Sequence, residues 1–167
     1  MLSLIAGAAL FVACLYGGAG IRRYYKVRSG YFEEINNLCG MLIDEIANLK
    51  TPLEKILENF TFLKRGEIVR QIDAYRTLLK TEVIASRESV MKVVDSAYLK
   101  KEEKLILTDF FMLLGRSHAE SQIVNIKHYK LKFEEIGAKA KEAYRVQGAL
   151  AYKLGILLGI ALMIIVV

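Results

Sequence analysis

The sequence predicts an all-α protein: an antiparallel bundle of about six helices between two terminal transmembrane helices. Three observations lead there. Uncharged apolar residues fill both ends of the chain. Between them, apolar residues recur every three or four positions, with no sustained alternation of the kind a half-buried strand shows. A single proline interrupts the 167 residues. The composition agrees: 54% of residues are hydrophobic while 25% are charged, and mean hydropathy is +0.30. Both hold in one chain only if apolar residues are segregated along it.

The first element is MLSLIAGAALFVACLYGGAGI, residues 1–21, which carries no charged side chain. A helix of that length covers about 30 Å, the thickness of a bilayer's hydrocarbon core. A cleaved signal peptide is the competing reading, but it needs positive charge ahead of the apolar run. Here Arg22, Arg23, Lys26 and Arg28 come after it. The last element, Leu154 to Val167, is uncharged. Extending it back to Ala149 adds one charge, Lys153, whose long stem lets the ammonium reach the headgroups. The division is therefore 1–21, 22–148 and 149–167. Lys139, Lys141, Arg145 and Lys153 precede or enter the second span, and nothing basic flanks the outer tips. The positive-inside rule puts residues 22–148 in the cytoplasm and both termini outside.

Within the body, Ile35, Leu38, Leu42, Ile46 and Leu49 define one helical face. Thr51 and Pro52 signal a helix start: threonine can cap exposed amides, and proline suits a first turn where its missing N–H costs nothing. Leu53, Ile56, Leu57 and Phe60 follow. After a break at Arg65-Gly66 come Val69, Ile72, Tyr75 and Leu79. A helix over 86–99 is expected from Val90, Val94 and Tyr98, and Lys100 to Lys104 reads as a linker or first turn. Leu107, Phe110, Phe111 and Leu114 form the next stripe. Ile123, Ile126, Phe133, Ile136, Ala140 and Ala143 form the last, with no stop before the second span.

The stretch LGRSHAESQ, 114–122, sets serine, histidine and glutamate close together. A catalytic triad converges from separate parts of a chain, whereas Ser117, His118 and Glu120 would fan out around one turn. Gly115 instead marks a helix stop, and Ser117 with Glu120 fits the reciprocal capping box S-x-x-E. His118 and His128 stand apart from any cysteine or carboxylate at ligand spacing, so no metal site is expected. The pairs Glu33-Glu34, Glu102-Glu103 and Glu134-Glu135 read as solvated faces or lysine partners. No glycine-rich phosphate loop is present. No catalytic residue, metal or cofactor is expected. The charge of +6 sits largely beside the spans, where topology and anionic lipid account for it, so nucleic acid is not an expected partner. Cys14 and Cys39 read as small apolar fillers.

Two patterns concern helix pairing. Gly155 and Gly159 form G-x-x-x-G in the second span, and Ala9, Ala13 and Gly17 form a small-residue ridge in the first. Small residues let backbones approach closely in lipid. Such faces could pair the two spans, two copies of the chain, or a partner's helices.

The order of features resembles the stage III sporulation protein AB family of endospore-forming bacteria. The resemblance is carried by the uncharged first span and its basic flank, Asp44-Glu45-Ile46 before Thr51-Pro52-Leu53, and Phe110-Phe111 and Leu114-Gly115 with Gln122 seven residues after the glycine. It continues with the long last helix and Lys153-Leu154-Gly155 entering the second span. It departs from the family at Val27-Arg28-Ser29-Gly30, where an arginine-proline step is usual. The resemblance implies a helical domain similar to the cytoplasmic domains of the F-type platform protein of type II secretion. It also implies a place in a channel-like complex in the mother-cell membrane around the forespore, with a secretion-like ATPase and other sporulation membrane proteins as partners. Two other readings compete. One is a membrane-bound sensor or regulator whose bundle binds a ligand or signalling protein. The other is a hydrolase using His118 or His128.

Overall fold

The computed structural model describes residues 2–49, 51–64, 66–81, 85–116 and 118–166. Among them every regular element is helical. Helix α1 spans Leu2–Asp44 and ends in a π-helical turn, Glu45–Leu49. Then come α2 (Leu53–Leu63), α3 (Glu67–Thr81), α4 (Arg87–Val93), α5 (Lys101–Leu113) and α6 (Ala119–Ala143). A second π-helical turn, Tyr144–Gly148, carries α6 into α7 (Ala149–Val166). Two apolar helices, at the two ends of the chain, flank the others.

The chain packs as two compact units, one of Met1–Ser29 with Ala138–Val167 and one of Gly30–Gly137. In the second unit, α2 packs on α3, α3 on α4 and α4 on α5. Short connections make sequential neighbours antiparallel. Its core takes Phe32, Ile35, Leu38 and Leu42 from α1, each with no exposed surface. Phe110 sits at the centre of an aromatic cluster, with ring centroids 5.3 Å from Phe133, 5.6 Å from Phe111 and 5.6 Å from Tyr129. Edge-on pairs of this kind add to the burial of the rings themselves.

Three polar side chains pin that core. The Tyr31 hydroxyl donates to Gln71 Oε1 at 2.6 Å, and Gln71 Nε2 donates to the Val94 carbonyl at 3.0 Å. These two bonds join α1, α3 and the end of α4. The Tyr75 hydroxyl donates to the Phe111 carbonyl at 2.7 Å; that carbonyl also accepts the Leu114 amide at 3.3 Å, so α3 is tied to the last turn of α5. Burial holds the Tyr31 hydroxyl well above its ordinary range, and Glu67 and Glu103 push the same way. Burial pushes Tyr75 up to about 12, with Arg116 opposing, and the Cys39 thiol to about 12.

Several elements differ from the sequence pattern for identifiable reasons. The expected helix over 86–99 ends at Val93, and turns follow it. Ser86 caps its start by accepting from the Ser89 amide at 3.1 Å. Leu49 is 68% exposed, because the widened π-helical turn rotates it off the face set by Leu38 and Leu42. In α3 the buried stripe is Ile68, Gln71, Ile72 and Tyr75, while Leu79 is exposed. Glu103, read as part of a solvated face, is buried and accepts the Lys100 amide at 2.8 Å. It closes the start of α5, where a carboxylate also suits the positive end of the helix.

Candidate functional site

No cluster of three or more metal-ligating side chains occurs among the described residues. His118 is exposed, and His128 is exposed with its ring against Tyr129. The feature the fold builds most deliberately is the helix seam of the first unit.

The seam is read from what a side chain would meet at each glycine. A Cβ on Gly155 would lie 2.8 Å from the Cys14 carbonyl oxygen and 3.2 Å from Gly18 Cα. One on Gly18 would lie 2.9 Å from the Ala151 carbonyl oxygen and 3.3 Å from Gly155 Cα. One on Gly159 would lie 2.7 Å from the Phe11 ring and 3.3 Å from its Cα. Gly148 sits beside Tyr144, Arg22 and Tyr25. As numbers rise from Phe11 to Tyr25, their partners fall from Gly159 to Gly148, so the two helices run antiparallel. The contact positions Phe11, Cys14, Gly18 and then Arg22 and Tyr25 step by three or four. That spacing keeps the contact positions on one face of the helix.

The predicted Gly155 and Gly159 are thus both buried in the seam. The predicted ridge on the first helix is not in it. Ala9, Ala13 and Gly17 are exposed, and a Cβ on Gly17 would meet nothing within 4 Å. Each helical residue turns the direction by about 100°, so a ridge displaced by one position from Gly18 points elsewhere. Outside the seam the large side chains face outward: Ile5 is 69%, Leu157 62% and Ile165 77% exposed. Small inside and large outside is the reverse of the bundle.

Among the basic residues, Arg22, Arg23, Lys26 and Lys153 are exposed. Arg22 lies over two rings, 5.4 Å from the Tyr152 centroid and 6.0 Å from the Tyr144 centroid. Arg28 is buried, at 5% exposure, and has a partner within the protein.

The punctuation residues fall in the second unit. Pro52 occupies the position before α2, with φ −58°, and Leu53 starts the helix. The Thr51 hydroxyl does not cap α2; it donates to Glu45 Oε2 at 2.7 Å, tying the π-helical turn to the connection. Gly115 has φ +77°, the left-handed conformation, just after α5. Ser117 lies outside the described residues, and Glu120 is exposed in the first turn of α6.

Fold and seam together define a class: an all-helical protein whose two apolar helices are each long and apolar enough to cross a membrane. Within that class the chain belongs to the stage III sporulation protein AB family, whose model matches residues 3–167. No curated protein and no solved structure matches the chain.

Proposed function

We propose that the protein is a non-enzymatic, membrane-anchored platform subunit of a sporulation-specific, secretion-like channel complex, and that its bundle docks a cytoplasmic ATPase or other subunits. The observation that carries the anchor is the inverted helix pair. Glycines meet backbone inside, and Ile5, Leu157 and Ile165 face outward. In water that surface would be strongly unfavourable, whereas lipid tails solvate it and leave close backbone packing to hold the pair. Arg22 with Tyr144 and Tyr152 suits the headgroup level, where tyrosine and arginine concentrate. The spans are 1–21 and 149–167, both termini lie outside, and residues 22–148 face the mother-cell cytoplasm.

Membership in a stage III sporulation family supports the setting. Deleting the gene is expected to block sporulation after engulfment while vegetative growth stays normal, and a normal spore yield would refute the reading. The full chain, solubilised in detergent, is expected to co-purify with the secretion-like ATPase of the sporulating cell.

A further inference from the structure

Charge is divided between the two units as unevenly as packing. The first unit holds eight lysines and arginines against one acidic residue, Glu142, whereas in the second carboxylates outnumber cations by one. The whole excess of +6 therefore lies on the helix pair. Glu142 pairs with Arg145 at 3.5 Å. Arg22 and Lys26 stand one turn apart on α1, where like charges repel. Among the described residues neither has a carboxylate partner. Arg22 is held by rings instead, its Cζ 5.4 Å from the Tyr152 centroid and 6.0 Å from the Tyr144 centroid. The backbone is arranged for that contact. Eight residues of regular α-helix turn a side chain about 80° from its starting direction. The π-helical turn Tyr144–Gly148 lies on the way to Tyr152, and its wider winding takes up the offset. Gly148 leaves the crossing open, since a Cβ there would lie 3.2 Å from the Tyr144 ring and 3.6 Å from Arg22 Cγ.

We infer that this end of the helix pair binds the phosphate of an anionic lipid, with the Arg22 guanidinium as its donor and Lys26 as the second cation. The inference rests on the reading of the pair as embedded in a membrane. Rings orient a guanidinium without neutralising it, so Arg22 keeps its charge and its N–H donors for an anion. Two phosphate oxygens match that planar fork, which a lysine cannot reproduce. The surface beyond the cluster selects the rest of the ligand. Past Arg22 and Tyr152 both helices continue as exposed apolar side chains, with Val12 46% and Ile160 45% exposed. The ligand that fits both surfaces is an anion on an acyl body. A choline headgroup brings its own cation against Arg22 and Lys26, whereas phosphatidylglycerol brings none.

Native mass spectrometry of the full chain, released from a neutral detergent, counts bound lipid directly. Phosphatidylglycerol is expected to bind saturably and at least about tenfold more tightly than phosphatidylcholine, the step between a matched and an opposed charge. Arg22→Gln should weaken that binding about tenfold or more, the scale of losing charge-assisted hydrogen bonds. Arg22→Lys should recover only part of the loss, because it restores the charge without the fork. Arg23→Gln removes the same charge one position away and should weaken binding by no more than about threefold, as a screened charge does. Tyr152→Leu, which leaves every charge in place, should also cost about threefold. The spin-label distance across the helix pair should hold in all four variants. The proposal is overturned by equal affinity for the two lipids, by equal losses in Arg22→Gln and Arg23→Gln (diffuse charge only), or by full recovery in Arg22→Lys. Displacement of the lipid by millimolar inorganic phosphate (a free-phosphate site) or a changed spin-label distance in Arg22→Gln (a structural arginine) would overturn it equally. A chain that stays monodisperse in water without detergent would remove the membrane reading itself. A chain that needs detergent yet shows no lipid preference removes this inference alone.

Discussion

In the first unit α1 meets its neighbour through Cys14 and Gly18, at distances where a methyl group on Gly155 would strike a carbonyl oxygen 2.8 Å away. In the second unit the same helix meets its neighbours through Phe32, Ile35, Leu38 and Leu42, all fully buried. One helix therefore changes its means of attachment along its length. Where large apolar side chains are buried, removing them from water supplies the stability, and bonds such as Tyr31 to Gln71 fix which arrangement is adopted. Where large side chains face outward, that driving force is missing and small residues must let the backbones touch. The environment for which each unit is built can be read from which size of residue lies inside.

The largest expected effect breaks only the bundle. Phe110→Ala opens a cavity beside the rings of Phe111, Tyr129 and Phe133 and should cost about 3–5 kcal/mol. Urea unfolding of the full chain in detergent, followed by near-ultraviolet tyrosine dichroism, should show the loss. A spin-label distance across the helix pair should stay unchanged; a change there would mean the units are not separable.

Next comes Gly155→Ile, which should destabilise the helix pair by about 1–3 kcal/mol, the usual cost of overpacking. The same spin-label distance should broaden while the bundle's unfolding midpoint holds. Gly17→Ile sharpens the test, because a Cβ there meets nothing within 4 Å and the pair should survive it. Equal damage from both substitutions would contradict the seam.

The smallest effect is in pH. Tyr75 and Cys39 lie at about 12 in the folded bundle against ordinary values of 10.0 and 9.0. A raised value means that the neutral form is favoured by folding, so the contribution is complete below the ordinary value and is lost as pH rises toward the folded one. Bundle stability should therefore decline from about pH 9 to 12. Cys39→Val should flatten the lower part of that decline in a series of thermal midpoints.

Much of this was legible in the sequence where one segment decides the outcome. Two uncharged ends, the three-to-four spacing and Gly155-x-x-x-Gly159 are local patterns with local causes. What was not legible depends on phase or on distant partners. Gly17, Gly18 and Gly20 are nearly adjacent, and only the approach of Ala151, Tyr152 and Gly155 selects Gly18. Leu49 fits the apolar stripe, but a π-helical turn breaks the period on which the stripe depends. Glu103 caps α5 without the serine or threonine that would have flagged the motif. Tyr31, Gln71 and Val94 come from three helices, and nothing in any one of them names the others.

The proposed topology assigns the inverted pair to lipid and the bundle to cytoplasm, and accessibility tests it directly. Phe62 is 89% exposed on the bundle, so a cysteine placed there, with Cys14 and Cys39 replaced by alanine, is open to any reagent that reaches it. An impermeant maleimide should leave Phe62→Cys unlabelled in intact vegetative cells made to express the chain, whose membrane has one face open to the reagent, and label it fully after lysis. Full labelling before lysis would put the bundle on the wrong side of the membrane for an ATPase platform.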